Sequence, residues 1–195
     1  MEKRVFENPD IKDRVHFLQT SAETNGAYTL VEVELEPGGG NSLHYHTHFD
    51  EEFTAIDGVL SIGLKKRQLQ LKPGEKAIAR INQLHRFYNA SPHPIRFHVR
   101  LTPGSTEFEK SIAIAYGLAS DGLTSKSGIP KKLDHLAVIL DLSNTRLTGF
   151  FAWILPWLLR RAKRARRKGI LQELENRYWQ QPVAPHPIVM QAVNT

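Results

Sequence analysis

Hydrophobic and polar residues alternate along much of the first half of the chain. In segment 29–36 the odd positions are Thr, Val, Val and Leu, while three of the four even positions are Glu. This period of two predicts a β-strand with one buried and one acidic face. In segment 96–101 basic residues alternate with apolar ones. We expect its basic face to pair across strands with the acidic face of the first segment.

Turn signals follow one another at short intervals between residues 14 and 103. Glycine adjoins asparagine, aspartate or proline at Asn25-Gly26, Pro37-Gly38, Asp57-Gly58, Pro73-Gly74 and Pro103-Gly104. Many short strands with such spacing are typical of an all-β sandwich or barrel. The fold class predicted for this part of the chain is therefore all-β.

Helical spacing replaces the alternation after residue 104. Thr106 and Glu109 have the spacing of a capping box, which predicts the start of a helix. Another amphipathic helix is predicted from Leu133, and a further one over 148–167, interrupted or kinked near Pro156 and resuming at 170–179.

These patterns divide the chain into four predicted units. A β-domain over residues 1–118 is followed by a linker rich in Gly, Ser and Lys over 119–132. A helical extension over 133–181 and an extended tail over 182–195 complete the chain.

Composition excludes several kinds of chemistry. The chain has no cysteine, so disulfides, thiolate metal ligands and a cysteine nucleophile are excluded. The first residues lack the apolar run of a signal peptide, so the cytoplasm is the expected location.

The net charge of +6 is concentrated in one place. Seven of the 26 basic residues lie in segment 160–168, and the remainder of the chain, with 20 acidic residues, is close to neutral. The high pI of about 9.6 therefore reflects a local patch rather than a basic domain.

An apolar run with two tryptophans comes directly before this basic cluster. At 13 residues with a proline, the run is too short to span a bilayer. One hypothesis is that its apolar residues pack on the β-domain or in a homodimer; they are Phe150, Phe151, Ile154, Leu155 and Leu158. A second is attachment to a membrane surface through residues 147–168, which would make the protein peripheral to the membrane. Nucleic acid is the least favoured partner, because no aromatic residues interleave with the basic ones.

A cluster of candidate metal ligands lies within the predicted β-domain. His44 and His46 alternate, so a strand would direct both to one face; Glu51 follows shortly after, and His85 comes two or three strands later. Imidazole and carboxylate ligands suit a divalent transition metal, and four ligands leave coordination positions open, as in catalytic sites. His48 matches no ligand position and is expected either at the rim of the site or behind the ligands.

These residues resemble the two motifs of the cupin superfamily. The first motif, G-x5-H-x-H-x3,4-E-x6-G, is matched by Gly38, His44, His46, Glu51 and Gly58. The second, G-x5-P-x-G-x2-H-x3-N, is matched by Gly74, His85 and Asn89, with Arg80 in place of proline and Asn82 in place of glycine. The resemblance covers about residues 14–118 and implies a jelly-roll β-barrel that encloses a metal.

The resemblance also carries functional expectations. It implies one divalent metal, with Fe, Mn, Ni and Zn left open, held by His44, His46, Glu51 and His85. Likeness to quercetinase-like cupins favours an oxidoreductase of dioxygenase type acting on a small molecule, with Glu51 as both ligand and catalytic proton carrier. The alternatives are a cupin isomerase and a protein that binds a small molecule without turnover. No second carboxylate has a spacing that marks it as a general base.

Overall fold

Eleven strands and four helices follow one another in the computed structural model, which describes residues 4–65 and 67–179, with the backbone alone at residues 150 and 151. The strands are β1 Val5–Asn8, β2 Asp13–Gln19, β3 Thr29–Leu35, β4 His44–His46, β5 Asp50–Asp57, β6 Leu60–Leu64, β7 Arg67–Leu71, β8 Lys76–Ala79, β9 His85–Tyr88, β10 Ile95–Thr102 and β11 Thr145–Leu147. The helices are α1 Thr106–Ser120, α2 Leu133–Leu142, α3 Phe150–Arg167 and α4 Ile170–Tyr178.

The strands form two antiparallel sheets. One sheet has six strands in the order β1-β2-β3-β10-β5-β8, and the other has five in the order β11-β4-β9-β6-β7. Apolar side chains from both sheets, such as Val33 and Phe97 from one and Ile62 from the other, meet in one core. The predicted all-β core with C-terminal helices is confirmed. The two sheets of the predicted jelly roll are not closed into a barrel, because no hydrogen-bonded ladder joins them within the described ranges.

The alternation that predicted β3 and β10 reflects their pairing. Val31 and Val33 are buried, while Glu32 and Glu34 lie on the outer face. Across the antiparallel ladder Glu34 stands opposite an arginine and Glu32 opposite His98. The Nε2 atom of His98 lies 3.1 Å from a carboxylate oxygen of Glu32. The predicted cross-strand pairing of acidic and basic residues is therefore confirmed.

Helix α1 begins one residue earlier than its predicted capping box requires. Ser105, not Thr106, is the N-cap, and its side chain accepts a backbone N–H at 3.1 Å. Glu109 is buried and accepts hydrogen bonds from the backbone N–H of Ser21 and the hydroxyl of Thr29, both at 2.6 Å. The predicted capping box is wrong, because this carboxylate joins α1 to the six-stranded sheet instead of capping its own helix.

The C-terminal helices pack against each other and against the sheets. Helix α3 runs through Pro156 without the predicted interruption; the proline lies on its exposed side. Leu155 and Leu158 are buried against α2, and α4 follows as predicted. The predictions for the side chains of residues 150 and 151 and for the tail 182–195 fall outside the described residues. Among the helices that are described, none is long and apolar enough to span a bilayer.

The segment between α2 and α3 contributes an unexpected strand. β11 pairs antiparallel with β4, with Thr145 opposite His46 and Leu147 opposite His44. Between α1 and α2 the chain makes a short bridge from Thr124 to Pro130. The helical part of the chain therefore completes the sheet that carries three of the predicted ligands, His44, His46 and His85. The division into four units stays a prediction.

Candidate metal centre

The four predicted ligands lie together between the two sheets. The alternation in β4 turns His44 and His46 to one face, and the ladder between β4 and β9 places His85 opposite His44. Glu51 reaches the same point from β5 of the other sheet. The ligand atoms of these four buried residues all lie within 4.8 Å of one another. The cluster therefore bridges two sheets that share no hydrogen-bonded ladder among the residues that the structure describes.

Three short distances define the geometry of the cluster. The Nε2 atoms of His44 and His46 lie 3.0 Å apart. Oε2 of Glu51 lies 2.8 Å from Nε2 of His85, and Oε1 of Glu51 lies 3.7 Å from Nε2 of His46. All three imidazoles thus direct the same ring nitrogen toward the carboxylate and toward one another.

Backbone carbonyl groups fix the orientation of each imidazole. The Nδ1 atoms of the three histidines lie at hydrogen-bonding distance from carbonyl oxygens, which can only accept. The acceptors are Ser42 for His44 at 2.8 Å, Ser143 for His46 at 3.1 Å and Gln83 for His85 at 2.9 Å. Each Nδ1 therefore carries the hydrogen, and in a neutral ring Nε2 is left with a lone pair.

This arrangement of lone pairs fits one divalent ion. Two neutral rings with Nδ1–H groups have no hydrogen to share between Nε2 atoms 3.0 Å apart, and a cation between these atoms would make the contact favourable. Two ligand nitrogens at about 2.1 Å from an ion and at a right angle would lie about 3.0 Å apart. Within the described part of the chain, the buried Nε2 of His85 makes no aligned hydrogen bond, although Glu51 is close. Imidazole and carboxylate ligands suit several first-row metals, and the donor set does not select one.

The electrostatics of the cluster favour the ionisation states of metal ligands. Burial, assisted by the neighbouring imidazoles, lowers the pKa of His44 to about 3. Burial also lowers the pKa of His46. Burial alone would raise the pKa of Glu51, but the surrounding histidines outweigh it and the pKa is lowered. At neutral pH the cluster therefore contains at least two neutral imidazoles and an ionised carboxylate.

His85 behaves differently from the other two histidines. Burial acts to lower its pKa, but the contact with the Glu51 carboxylate has the larger total effect and raises the pKa. In the metal-free protein His85 therefore retains a proton beside Glu51 to a higher pH than a free imidazole does. An ion that binds Nε2 of His85 must displace this proton.

A cavity of about 300 Å³ lies beside the cluster. His44, His46 and Glu51 form part of its wall, and most of the remaining wall is apolar. The six-stranded sheet contributes Val15, Val33 and Val99, while α1, α2 and β11 contribute Phe108, Leu140 and Leu147. The C-terminal helices therefore help to enclose the cavity, which the sequence patterns did not indicate.

A second polar group lines the same cavity and was missed by the sequence analysis. Asp13 lies on the inner face of β2, and its Oδ2 accepts a hydrogen bond of 2.6 Å from the hydroxyl of Tyr116 on α1. Oδ1 of Asp13 is buried and has no hydrogen-bond partner in the described part of the chain. Burial raises the pKa of Asp13 to about 7 and also holds the pKa of Tyr116 well above its ordinary value. The signal that could have revealed Asp13 is the alternation of residues in β2, which places Asp13 on the same buried face as Val15 and Phe17.

A second missed group supports the strand that carries two ligands. Oδ1 of Asn144 accepts hydrogen bonds from the backbone N–H of Thr47 at 2.6 Å and from its hydroxyl at 2.8 Å. Ser143 beside it provides the carbonyl for His46. These residues are 97 positions away in the sequence from the residues that they contact, so no local pattern pointed to them.

The remaining motif residues have structural roles. Asn82, which replaces the usual glycine, adopts a φ of +63°, and its backbone N–H donates to the carbonyl of His46 at 2.7 Å. Asn89 donates from its side chain to the carbonyl of Leu35 at 2.9 Å. His48 is exposed and lies outside the ligand cluster, as expected.

The sequence matches a known family over the segment that contains all four ligands. Residues 31–101 match the family model of the cupin domain. This segment is a cupin domain. A comparison of the chain with curated proteins found no match.

Several solved structures resemble the cupin part of the chain. A sugar phosphate isomerase of the cupin superfamily from Silicibacter pomeroyi DSS-3 is 26% identical over 47% of this chain and 59% of its own, with a TM-score of 0.42. A polyketide cyclase from Streptomyces resistomycificus is 20% identical over 52% and 68% of the two chains, with a TM-score of 0.43. An RmlC-like cupin from Shewanella frigidimarina NCIMB 400 is 13% identical over 54% and 89%, with a TM-score of 0.47. This chain thus spans less than two thirds of the isomerase, and these likenesses do not decide its activity.

Proposed function

We propose that this cupin is a metal-dependent enzyme of oxidoreductase, dioxygenase-like type that acts on a small and largely apolar molecule. The ligands of the ion are His44, His46, Glu51 and His85. The observation that carries the proposal is the set of three Nδ1–H groups held by backbone carbonyls, which leaves three Nε2 atoms converging on one carboxylate. A divalent ion at this point supplies a Lewis acid with positions free for a ligand.

The protein groups around the ion have distinct tasks. The backbone carbonyls hold the imidazoles in one orientation, and Glu51 would be both a ligand and the carrier of a substrate proton. The apolar wall excludes water and favours a substrate with an aromatic or alkyl body. An enol or phenol fits this description, because its oxygen can face the ligand cluster while its apolar part fills the cavity.

A second candidate function is isomerisation by acid–base chemistry, and Asp13 favours it. A carboxyl with a pKa near 7 can accept a proton from a substrate and return it near neutral pH. The hydroxyl of Tyr116 fixes one oxygen of this carboxyl and leaves the other without a partner. A third candidate, binding of a small molecule without turnover, needs only the cavity and the ion.

The small molecule is the only partner that this proposal requires. The homodimer and the cytoplasmic location expected from the sequence stay predictions.

The first test is elemental analysis of the purified protein beside two double variants. We expect about one divalent ion per chain in the wild type, as in other mononuclear sites. The double variant His44→Ala/His46→Ala should lose the ion and remain folded by circular dichroism. The matched control is His48→Ala/His93→Ala, which removes two exposed histidines and should keep the ion. Full occupancy in the first double variant would refute the site.

A second measurement separates the candidate activities. Oxygen uptake with small enols and phenols by the metal-loaded protein supports the oxidoreductase. Exchange of substrate C–H hydrogens with deuterated solvent, lost in Asp13→Asn, supports the isomerase. Ligand-dependent thermal stabilisation without either reaction supports the binding protein.

A further inference from the structure

Two tryptophans on α3 are unusually exposed. The side chain of Trp153 is 86% exposed and that of Trp157 is 49% exposed. Tryptophan is on average one of the most buried residues, and it is enriched where one part of the ring needs an apolar surface and another needs water. Exposure of two such residues one helical turn apart marks a surface with a function of its own.

The exposed face is not the result of a helix that fails to pack. The opposite face of α3 is well buried, with Leu158 at 2% and Ala162 at 0% exposure, and it packs on α2. Two ion pairs at the edges of this contact hold α3 in place: Arg161 with Asp134 at 2.7 Å, and Arg166 with Asp141 at 2.9 Å. The helix is therefore anchored by one face and presents the other to solvent.

The outward face carries aromatic and basic residues in a single row. Trp153, Trp157, Arg160, Arg164 and Arg167 are all exposed and follow one another at intervals of three or four residues, which places them along one side of a helix. We call this row the α3 stripe. Its first turn is aromatic and its later turns are basic.

No negative charge balances the α3 stripe. Segment 148–168 contains no Asp or Glu. In the described part of the chain, neither Arg160 nor Arg164 forms an ion pair, whereas the arginines at the edge of the helix do. The positive charge of the stripe is therefore available to a partner outside the chain.

We propose that the α3 stripe docks on an anionic lipid bilayer. Tryptophan side chains occupy the headgroup level of membranes, and clustered Lys and Arg residues bind anionic headgroups. The order of aromatic and then basic residues lets the two indole rings enter the headgroup layer while the arginines contact phosphate groups. The surface binds peripherally, since α3 keeps its buried face on α2.

Charge complementarity favours a lipid bilayer over a second copy of the chain and over a nucleic acid. A second copy of the chain would bring two unbalanced basic stripes into one interface, where like charges are costly. A nucleic acid would meet arginines without aromatic residues among them, since both tryptophans lie N-terminal to the basic turns. An anionic lipid surface can contact both the tryptophans and the arginines of the α3 stripe.

Co-sedimentation of the full-length protein with vesicles tests the proposal. We expect binding to phosphatidylcholine vesicles that contain phosphatidylglycerol, and little binding to phosphatidylcholine alone. Binding should weaken as sodium chloride is added, because salt screens the charge. Inorganic phosphate at the same ionic strength should weaken it no more than sodium chloride does. Complete displacement by inorganic phosphate would identify a free phosphate site instead.

Substitutions of the arginines and tryptophans test whether the α3 stripe is the surface that binds vesicles. Arg160→Gln/Arg164→Gln should weaken vesicle binding by about fivefold for each charge removed. The matched control Lys72→Gln/Lys126→Gln removes two exposed charges elsewhere and should change it little. Trp153→Ser/Trp157→Ser should also weaken binding, and the blue shift of tryptophan fluorescence on vesicles should be lost.

Three outcomes would overturn the proposal. One is equal loss of binding in the stripe variant and the control. Another is tighter binding to a short DNA duplex than to anionic vesicles. The third is a dimer in sedimentation velocity that becomes monomeric in the tryptophan variant, because a second copy would then cover the stripe.

Discussion

The backbone carbonyl of Ser143 lies 3.1 Å from Nδ1 of His46, although 97 residues separate them in the chain. The next residues form β11, which pairs with the strand of His44 and His46. A carbonyl acceptor fixes which ring nitrogen of His46 is free for a metal. The helical C-terminal part therefore belongs to the candidate metal centre, although the cupin match ends at residue 101.

Removal of the Asn144 side chain should weaken metal binding without removing any ligand. Asn144 fixes the β4 strand through two hydrogen bonds to Thr47, and its φ of +52° suits glycine. We therefore expect Asn144→Gly to lower the metal affinity by about tenfold, as for other groups that support a ligand. Competition with a chromogenic chelator measures this affinity.

The control for this prediction is Asn144→Asp, which keeps an oxygen acceptor for both bonds from Thr47. Its metal affinity should stay closer to that of the wild type. Equal affinities in the glycine variant and the wild type would show that β4 holds its position without Asn144.

Metal affinity should rise with pH through the range in which His85 loses its proton. The Glu51 carboxylate raises the pKa of His85, whereas burial lowers the pKa values of His44 and His46. Of the three histidines, His85 therefore retains its proton to the highest pH, and the ion must displace that proton. Below the pKa of His85 we expect the affinity to fall by about tenfold per pH unit. Isothermal titration calorimetry in buffers of different ionisation enthalpy should detect one released proton, and no released proton would contradict the assignment.

The ligand cluster could be predicted from the sequence because its residues fall in two short motifs. The alternation of His44 and His46 in one strand and the fixed distances to Glu51 and His85 are local features. The strands β3 and β10 were predictable for the same reason, since a half-buried strand shows its two faces in its residues.

The features that the sequence did not predict depend on contacts between distant parts of the chain. Asp13 accepts a hydrogen bond from Tyr116, which is 103 positions away in the sequence. Only the fold shows that the buried carboxyl of Asp13 lines a cavity. The capping prediction failed because the Glu109 carboxylate accepts hydrogen bonds from Ser21 in the turn after β2 and from Thr29 of β3. Closure into a barrel depends on hydrogen bonds between sheet edges, which no residue pattern encodes.

Metal binding should stabilise the fold by joining the two sheets. Glu51 belongs to the six-stranded sheet and the three histidines to the five-stranded sheet. An ion bound only by the folded protein adds about 2.7 kcal/mol to the free energy of unfolding when its free concentration is 100-fold above the dissociation constant. Differential scanning calorimetry with and without a chelator should show this shift in the wild type.

The double variant His44→Ala/His46→Ala is the control for this stabilisation. Its unfolding temperature should not respond to the chelator. An equal shift in both proteins would mean that the ion binds elsewhere.

Asp13 should make the free energy of unfolding fall as the pH rises. Burial raises the pKa of Asp13 from 3.8 to about 7, so between these values the folded protein holds a proton that the unfolded chain releases. The wild type therefore loses stability from about pH 4 to about pH 7, and the loss remains at higher pH.

Asp13→Asn removes the ionisable group and keeps an oxygen acceptor for the Tyr116 hydroxyl. Relative to the wild type, this variant should become more stable with rising pH, by up to about 4 kcal/mol above pH 7. Urea unfolding at several pH values measures the difference, and Asp57→Asn serves as the control because that carboxyl is exposed. A difference between Asp13→Asn and the wild type that does not change with pH would show that Asp13 titrates as an ordinary carboxyl and is not a proton acceptor near pH 7.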